Sequence, residues 1–259
     1  MTVTPIPASG SSGYRPPGMP ATAWLIARRG ALESLRDRST LLANTFFALV
    51  VPGLLAVLIV RPQTAHAGGK EAALGTAMAA YLLVVGLLPS SGSISIAAGV
   101  FAGEKEQGNL APLLATPASN VAIFAGKVLG AVLPALLYAV VAEAVYLGGV
   151  ALTAGADKLR LLPPALSLAM VLFVPAVAVL GAAVASLISS RVRTYNSAQV
   201  LTSLAMLPIM ALLFGLAFKM QQWGPAALLV AIVGMIVLDA TLIFLGAATW
   251  RREEVMAQR

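Results

Sequence analysis

Three charged residues stand in a row in a chain that carries few charges: Glu104, Lys105 and Glu106. Gly108 follows closely, and then Leu110, Leu113 and Leu114 repeat before Pro117. Residues three and four apart share one face of a helix. The stretch therefore reads as a short amphipathic helix with a charged start, stopped by Pro117. Its apolar face needs a groove, either in the lipid interface or in a partner protein. The acidic start argues against an anionic inner leaflet as that groove. A short helix continuous with a longer one at each end is also a handle by which membrane helices can be moved.

A second set of candidates lies inside apolar runs. Glu143 and Asp239 are acids with no basic residue mid-span to neutralise them. Each costs about 2.5–3.5 kcal/mol at the centre of a span, so lipid exposure is disfavoured. Tyr146 lies one turn beyond Glu143, where its hydroxyl could serve the carboxyl. Two readings stay open for these residues: the lining of a cation or amine pathway, or packed and satisfied helix contacts.

Other chemistry is poorly provided for. The chain has no cysteine, and His66 is its one histidine, read as a solvated loop residue, so no metal site is expected. Ser90, Ser91, Ser93 and Ser95 have no base or oxyanion partner and suggest close helix contact or a wet break. A phosphate-binding loop needs Gly-x-x-x-x-Gly-Lys-Ser/Thr, but Gly69-Lys70 is followed by Glu71 and Gly126-Lys127 by Val128. No cofactor is expected in this chain, and any ATP hydrolysis belongs on a partner.

The elements that must position these residues follow from composition. Of the 259 residues, 59% are hydrophobic and 10% charged. A typical soluble domain has about 25% charged residues, so lipid has to be the missing solvent. The fold class is all-α: a polytopic membrane protein of six transmembrane helices. The runs lie near 41–60, 73–101, 121–151, 163–188, 197–218 and 225–249. Pro89 with Ser90, Ser91 and Gly92 predicts a break in the second run, and Pro134, Pro175 and Pro208 predict kinks in the next three. Pro163-Pro164 should open the fourth. Residues 1–20, rich in Pro, Gly and Ser, read as a disordered tail without the apolar core of a signal peptide. Residues 21–39 read as an interfacial amphipathic helix, with Trp24, Ala27, Ala31 and Leu35 on one side and Arg29, Glu33 and Arg36 on the other.

The net charge of +7 does not point to nucleic acid, because the basic residues sit at the ends of apolar runs. With the N-terminus inside, twelve of the 17 Lys and Arg residues fall on the cytoplasmic side. Only Arg61, Lys70, Lys158, Arg160 and Lys219 fall outside. By the positive-inside rule both ends of this multi-pass protein face the cytoplasm; the membrane is expected to be a bacterial-type plasma membrane.

The loop resembles that of the ABC-2 type permeases, the membrane subunits of one class of ABC exporters. Glu104, Lys105, Glu106, Gly108, Leu110, Leu113, Leu114, Thr116 and Pro117 match the family's pattern in order. Gly126-Lys127, the N-terminal helix, the six-span layout and Ser189-Ser190-Arg191 also fit. Asn109, where the family often has Thr, and the lack of an acid near Pro112 depart from it. Among its members the cation-exporting, NatB-like permeases look closest. The resemblance implies that 21–259 is a permease domain and 1–20 a cytoplasmic tail. It implies that Glu104, Lys105, Glu106, Gly108, Leu110, Leu113 and Leu114 form a coupling helix docking on a separate ABC ATPase. Two ATPase copies, carrying ATP and Mg, would serve a pair of permeases, expected as a homodimer. The runner-up reading is a self-sufficient ion channel or secondary cation transporter built on Glu143 and Asp239. The lack of an internal repeat weakens its inverted-repeat form.

Overall fold

The computed structural model describes residues 18–66, 68–108, 118–223 and 225–250, with residues 214, 216–223, 225 and 228 described by backbone alone. The proposed tail up to residue 17, and Leu110, Leu113 and Leu114 of the proposed coupling helix, lie outside the described residues.

Helix α1 spans Met19–Ser34, with Pro20 in its first turn, where a missing N–H costs nothing. It stops short of the expected residue 39, because a new helix begins there with its own cap. Asp37 Oδ2 accepts from Thr40 N at 3.0 Å and from the Ser39 and Thr40 hydroxyls at 2.7 and 2.5 Å. These donors hold the exposed Asp37 carboxyl down at a pKa of about 2. Helix α2 then runs over Arg38–Ala65, with a π-turn at Ala56–Val60. Helices α3 (Glu71–Glu106), α4 (Asn120–Thr153), α5 (Pro164–Arg191), α6 (Tyr195–Trp223) and α7 (Pro225–Thr249) complete the set. Ser119 caps α4, accepting from Ala122 N at 3.1 Å. Pro163 and Pro164 open α5, as expected. Among the described residues, six helices, α2 to α7, are long and apolar enough to cross a membrane.

The break expected at Pro89 is not there: α3 is continuous over 36 residues. Proline frees a carbonyl one turn back, and nearby serines occupy carbonyls around that turn. Ser90 Oγ donates to Gly86 O at 2.7 Å, Ser91 Oγ to Leu88 O at 2.6 Å and Ser93 Oγ to Ser90 O at 2.7 Å. Pro134, Pro175 and Pro208 lie inside α4, α5 and α6.

The spans divide into an inner and an outer trio. Protein buries 56%, 50% and 67% of the span windows of α3, α4 and α5, against 28%, 17% and 22% for α2, α6 and α7. Lipid is as apolar as leucine, so close packing rather than hydrophobic transfer must hold such helices together. The buried faces accordingly carry small residues, among them Ala97, Ala98, Ala102, Ala131, Ala135 and Ala182. Helix α1 lies against α4 with Gly30 meeting Gly130 and Ala27 fully buried. Trp24, expected to share a side with Ala27, is instead more than half exposed, and its neighbours Arg28 and Arg29 are exposed as well.

Candidate functional site

The charged triplet lies at the end of α3, where the turns of four helices meet. Each of its charges goes to a different one. Glu104 Oε2 takes Lys127 Nζ of α4 at 2.5 Å. Lys105 Nζ donates to Ser190 O at 2.5 Å and Val192 O at 3.3 Å, at the C-terminus of α5. Glu106 Oε2 accepts Tyr195 N, the first residue of α6, at 3.0 Å. The signs suit the helix ends: a cation at exposed terminal carbonyls, a carboxylate at exposed terminal amides. One helical turn thus ties α3 to α4, α5 and α6 together.

Lys127 is the centre of this knot and was not singled out as a site residue from the sequence. It is 6% exposed. Its ammonium also donates to Val100 O at 2.9 Å and sits 4.9 Å from the centroid of the Phe101 ring. Phe101 stacks on Phe124 at 5.4 Å and meets Trp250 edge-on at 5.1 Å. A signal was available. A lysine two turns into an apolar run is buried with its charge and needs an acid nearby. The loop before it supplies Glu104 and Glu106.

Ser189 adds a further tie. Its hydroxyl donates to Ala98 O at 2.6 Å and accepts from Ala102 N at 2.9 Å and Phe101 N at 3.2 Å. It is wholly buried, so these bonds form away from water. At the edge of the cluster Arg29 pairs with Glu33 at 2.8 Å. Both are well exposed, and such a pair is worth about 0.5 kcal/mol at most.

With this geometry in view, the chain can be placed. The model of the ABC-2 type transporter family matches residues 22–225. The chain belongs to the ABC-2 type transporter family. No match to a curated protein accompanies it. It is an integral, multi-pass membrane protein and a permease component of an ABC-type transporter. ABC-2 permeases generally work with an ABC ATPase and in dimers, and are generally not catalytic themselves. Gly108, the last residue of this permease described before the loop, has a φ of +70°, a left-handed conformation that ends α3 and turns the chain.

The candidates within the spans are not gathered into one site. Glu143 is 8% exposed and lies where Gly86 of α3 leaves room; a Cβ on Gly86 would fall 2.7 Å from Glu143 Oε1. Tyr146 does not serve this carboxyl. Its hydroxyl donates to Met78 O of α3 at 3.2 Å. Asp239, 5% exposed, is on α7, which packs with Gly246 against the ring of Phe124. At about 1.5 Å rise per residue, Asp239 stands about 10 Å beyond that contact and Glu143 about 28 Å beyond it. The acids are therefore about 18 Å apart along the bundle. Glu143 Oε1 and Asp239 Oδ1 are buried without a hydrogen-bond partner among the described residues.

Proposed function

We propose that this ABC-2 permease is the membrane-spanning subunit of an ATP-driven exporter. It pairs with a second copy of itself, and two copies of a separate ABC ATPase hold the ATP and Mg. Both termini and the handle face the cytoplasm, in a bacterial-type plasma membrane. The observation that carries this reading is the knot at residues 104–106. A handle transmits motion only if it is rigidly attached, and here one turn is anchored to three further helices through charge-assisted bonds. The ATPase contact is proposed to run from the exposed side of Glu106 and Gly108 into Leu110, Leu113 and Leu114. Glu104 and Lys105 face their own helices and serve as attachment of the handle. Co-expression with the cognate ATPase tests the reading. The expected outcome is a stable complex whose ATP hydrolysis is absent from the permease alone. Robust hydrolysis by the purified chain would sink it.

The residue set Glu143, Tyr146 and Asp239 supports a cation pathway less well. The acids stand at different depths, and the tyrosine is engaged with a backbone carbonyl. A self-sufficient channel or cation transporter would need them to act together on one ion.

A further inference from the structure

Two adjoining clefts lie along the same side of α3. One, of about 190 Å³, is walled by Leu87, Ile94, Val177 and Met210 from α3, α5 and α6. The other, of about 220 Å³, lies towards the handle and is walled by Ser91, Ser95, Gln199, Thr202 and Ser203. Ser91 and Ile94 line both, so the clefts adjoin. Among the described residues, no Asp, Glu, Lys or Arg lines either. The first is mostly apolar; the second keeps an apolar wall, with Ala98 and Met206, but adds Ser95, Gln199, Thr202 and Ser203 towards the end that carries Glu104.

The polar cleft has hydrogen-bonding capacity to spare. Thr202 lines this cleft and is 1% exposed, and among the described residues its hydroxyl has no partner. A buried hydroxyl in that state is costly, and a ligand that bonds it recovers the loss. Gln199 Nε2 reaches Ser95 Oγ at 3.4 Å, and Ser95 Oγ meets the Tyr195 hydroxyl at 3.4 Å. Both are at the long limit for hydrogen bonds, so better acceptors would displace them. Tyr195 also donates its backbone N–H to Glu106 of the knot. The polar cleft is thus one residue removed from the handle.

We propose that these clefts form a cargo site for an uncharged amphipathic molecule. Its apolar part lies along Leu87, Val177 and Met210, and its hydroxyl- or amide-bearing head meets Gln199, Thr202 and Ser203. A cation is a poor fit, because no described residue lining the site offers a countercharge to offset its lost hydration. The inference rests on the permease reading and supplies its class of cargo. It also makes Tyr195 a relay: a head bound by Ser95 shifts Tyr195 and hence Glu106.

The test uses the full permease with its ATPase in nanodiscs of uncharged lipid. The probes are a dodecyl glucoside with a diazirine in its chain and the matched dodecyltrimethylammonium. The glucoside is expected to label peptides covering 84–98 and 199–210, with the cation at least fivefold weaker there. Thr202→Val and Gln199→Leu should each lower the glucoside labelling at least fivefold, and Ser203→Trp should block it by filling the cleft. Equal labelling by both probes, or labelling unchanged in all three variants, overturns the proposal. Co-purification of the ATPase is read in the same samples. Labelling without co-purification would sink the partner reading and leave the cleft standing; co-purification without labelling would do the reverse.

Discussion

The knot at residues 104–106 and the acids within the spans place the same kind of group in apolar protein with opposite results. Glu104 keeps a third of its side chain in water and is bonded to a buried lysine. Glu143 and Asp239 are almost wholly buried, and each has an oxygen without a partner. Burial alone therefore does not mark a working charge in this bundle. At the knot the charge is paired, and removing one partner strands the other. At the acids there is no partner to strand. The two regions should respond differently to loss of charge, and most of the useful experiments turn on that difference.

The largest effect belongs to Glu104→Ala. It leaves Lys127 buried and unpaired, whereas Lys127→Met leaves Glu104 free to hydrate. Breaking a fully buried pair costs about 3–5 kcal/mol; the half-open Glu104 places this pair below that range. Glu104→Ala is expected to lower the thermal midpoint in detergent more than Lys127→Met does. The double variant should recover part of the loss, because it removes the stranded ammonium. Strictly additive single effects would show that the pair is not coupled. Next comes Lys105→Met, which removes two bonds to the end of α5 for about 1 kcal/mol or slightly more. Its sharper readout is coupling. The complex should still form and hydrolyse ATP, with transport falling more than hydrolysis. Equal losses would mean that Lys105 only stabilises the fold.

The spans were legible because an apolar run long enough for a bilayer declares itself without any tertiary knowledge. The charged triplet was legible as a site for a similar reason: three charges in so apolar a sequence need an explanation. Their partners were not legible. Ser190, Val192 and Tyr195 lie 85 to 89 residues further along the chain, and local spacing says nothing of such pairs; only Lys127 left a signal, in its burial. Local spacing misled at Tyr146, where one turn suggested Glu143 but α3 presents Met78 O to the hydroxyl. It misled again at Pro89, where the serines that suggested a break instead occupy carbonyls of an unbroken helix. The end of α1 could have been read better. Asp37 shortly before an apolar run is a helix-start signal, and its bond from Thr40 N sets the boundary that the amphipathic pattern blurred.

Among the residues within the spans, Tyr146→Phe isolates one bond. It should cost about 1 kcal/mol, seen as a small fall in thermal midpoint, without changing transport. Smaller still are Glu143→Gln and Asp239→Asn, which keep volume and remove ionisation. Uncharged cargo moving through the clefts has no need of either charge, so both should transport at the wild-type rate. Loss of transport in both, with ATPase binding intact, would restore the carboxylate pathway and break the contrast with the knot.

Asp37 supplies the missing combination, a carboxylate with partners and no burial. Three donors bond its charged form and hold its pKa at about 2, below the ordinary value of 3.8. A depressed carboxyl pKa adds stability above the unfolded value, and that stability is lost as pH falls through the folded one. The cap on α2 is therefore complete at neutral pH and fades only between pH 3.8 and about 2. Because the site is open to water and the first turn of any helix frays, the effect should be local. Hydrogen exchange of the segment 38–45 reads it directly. Wild-type protein should keep its protection there as pH is lowered to about 4, while Asp37→Ala should be less protected throughout. The two should converge only near pH 2, with the thermal midpoint of the whole bundle hardly moved. Convergence already above a pH of about 4 would mean that Ser39 and Thr40 do not hold the charge, and that partners without burial do little in this protein.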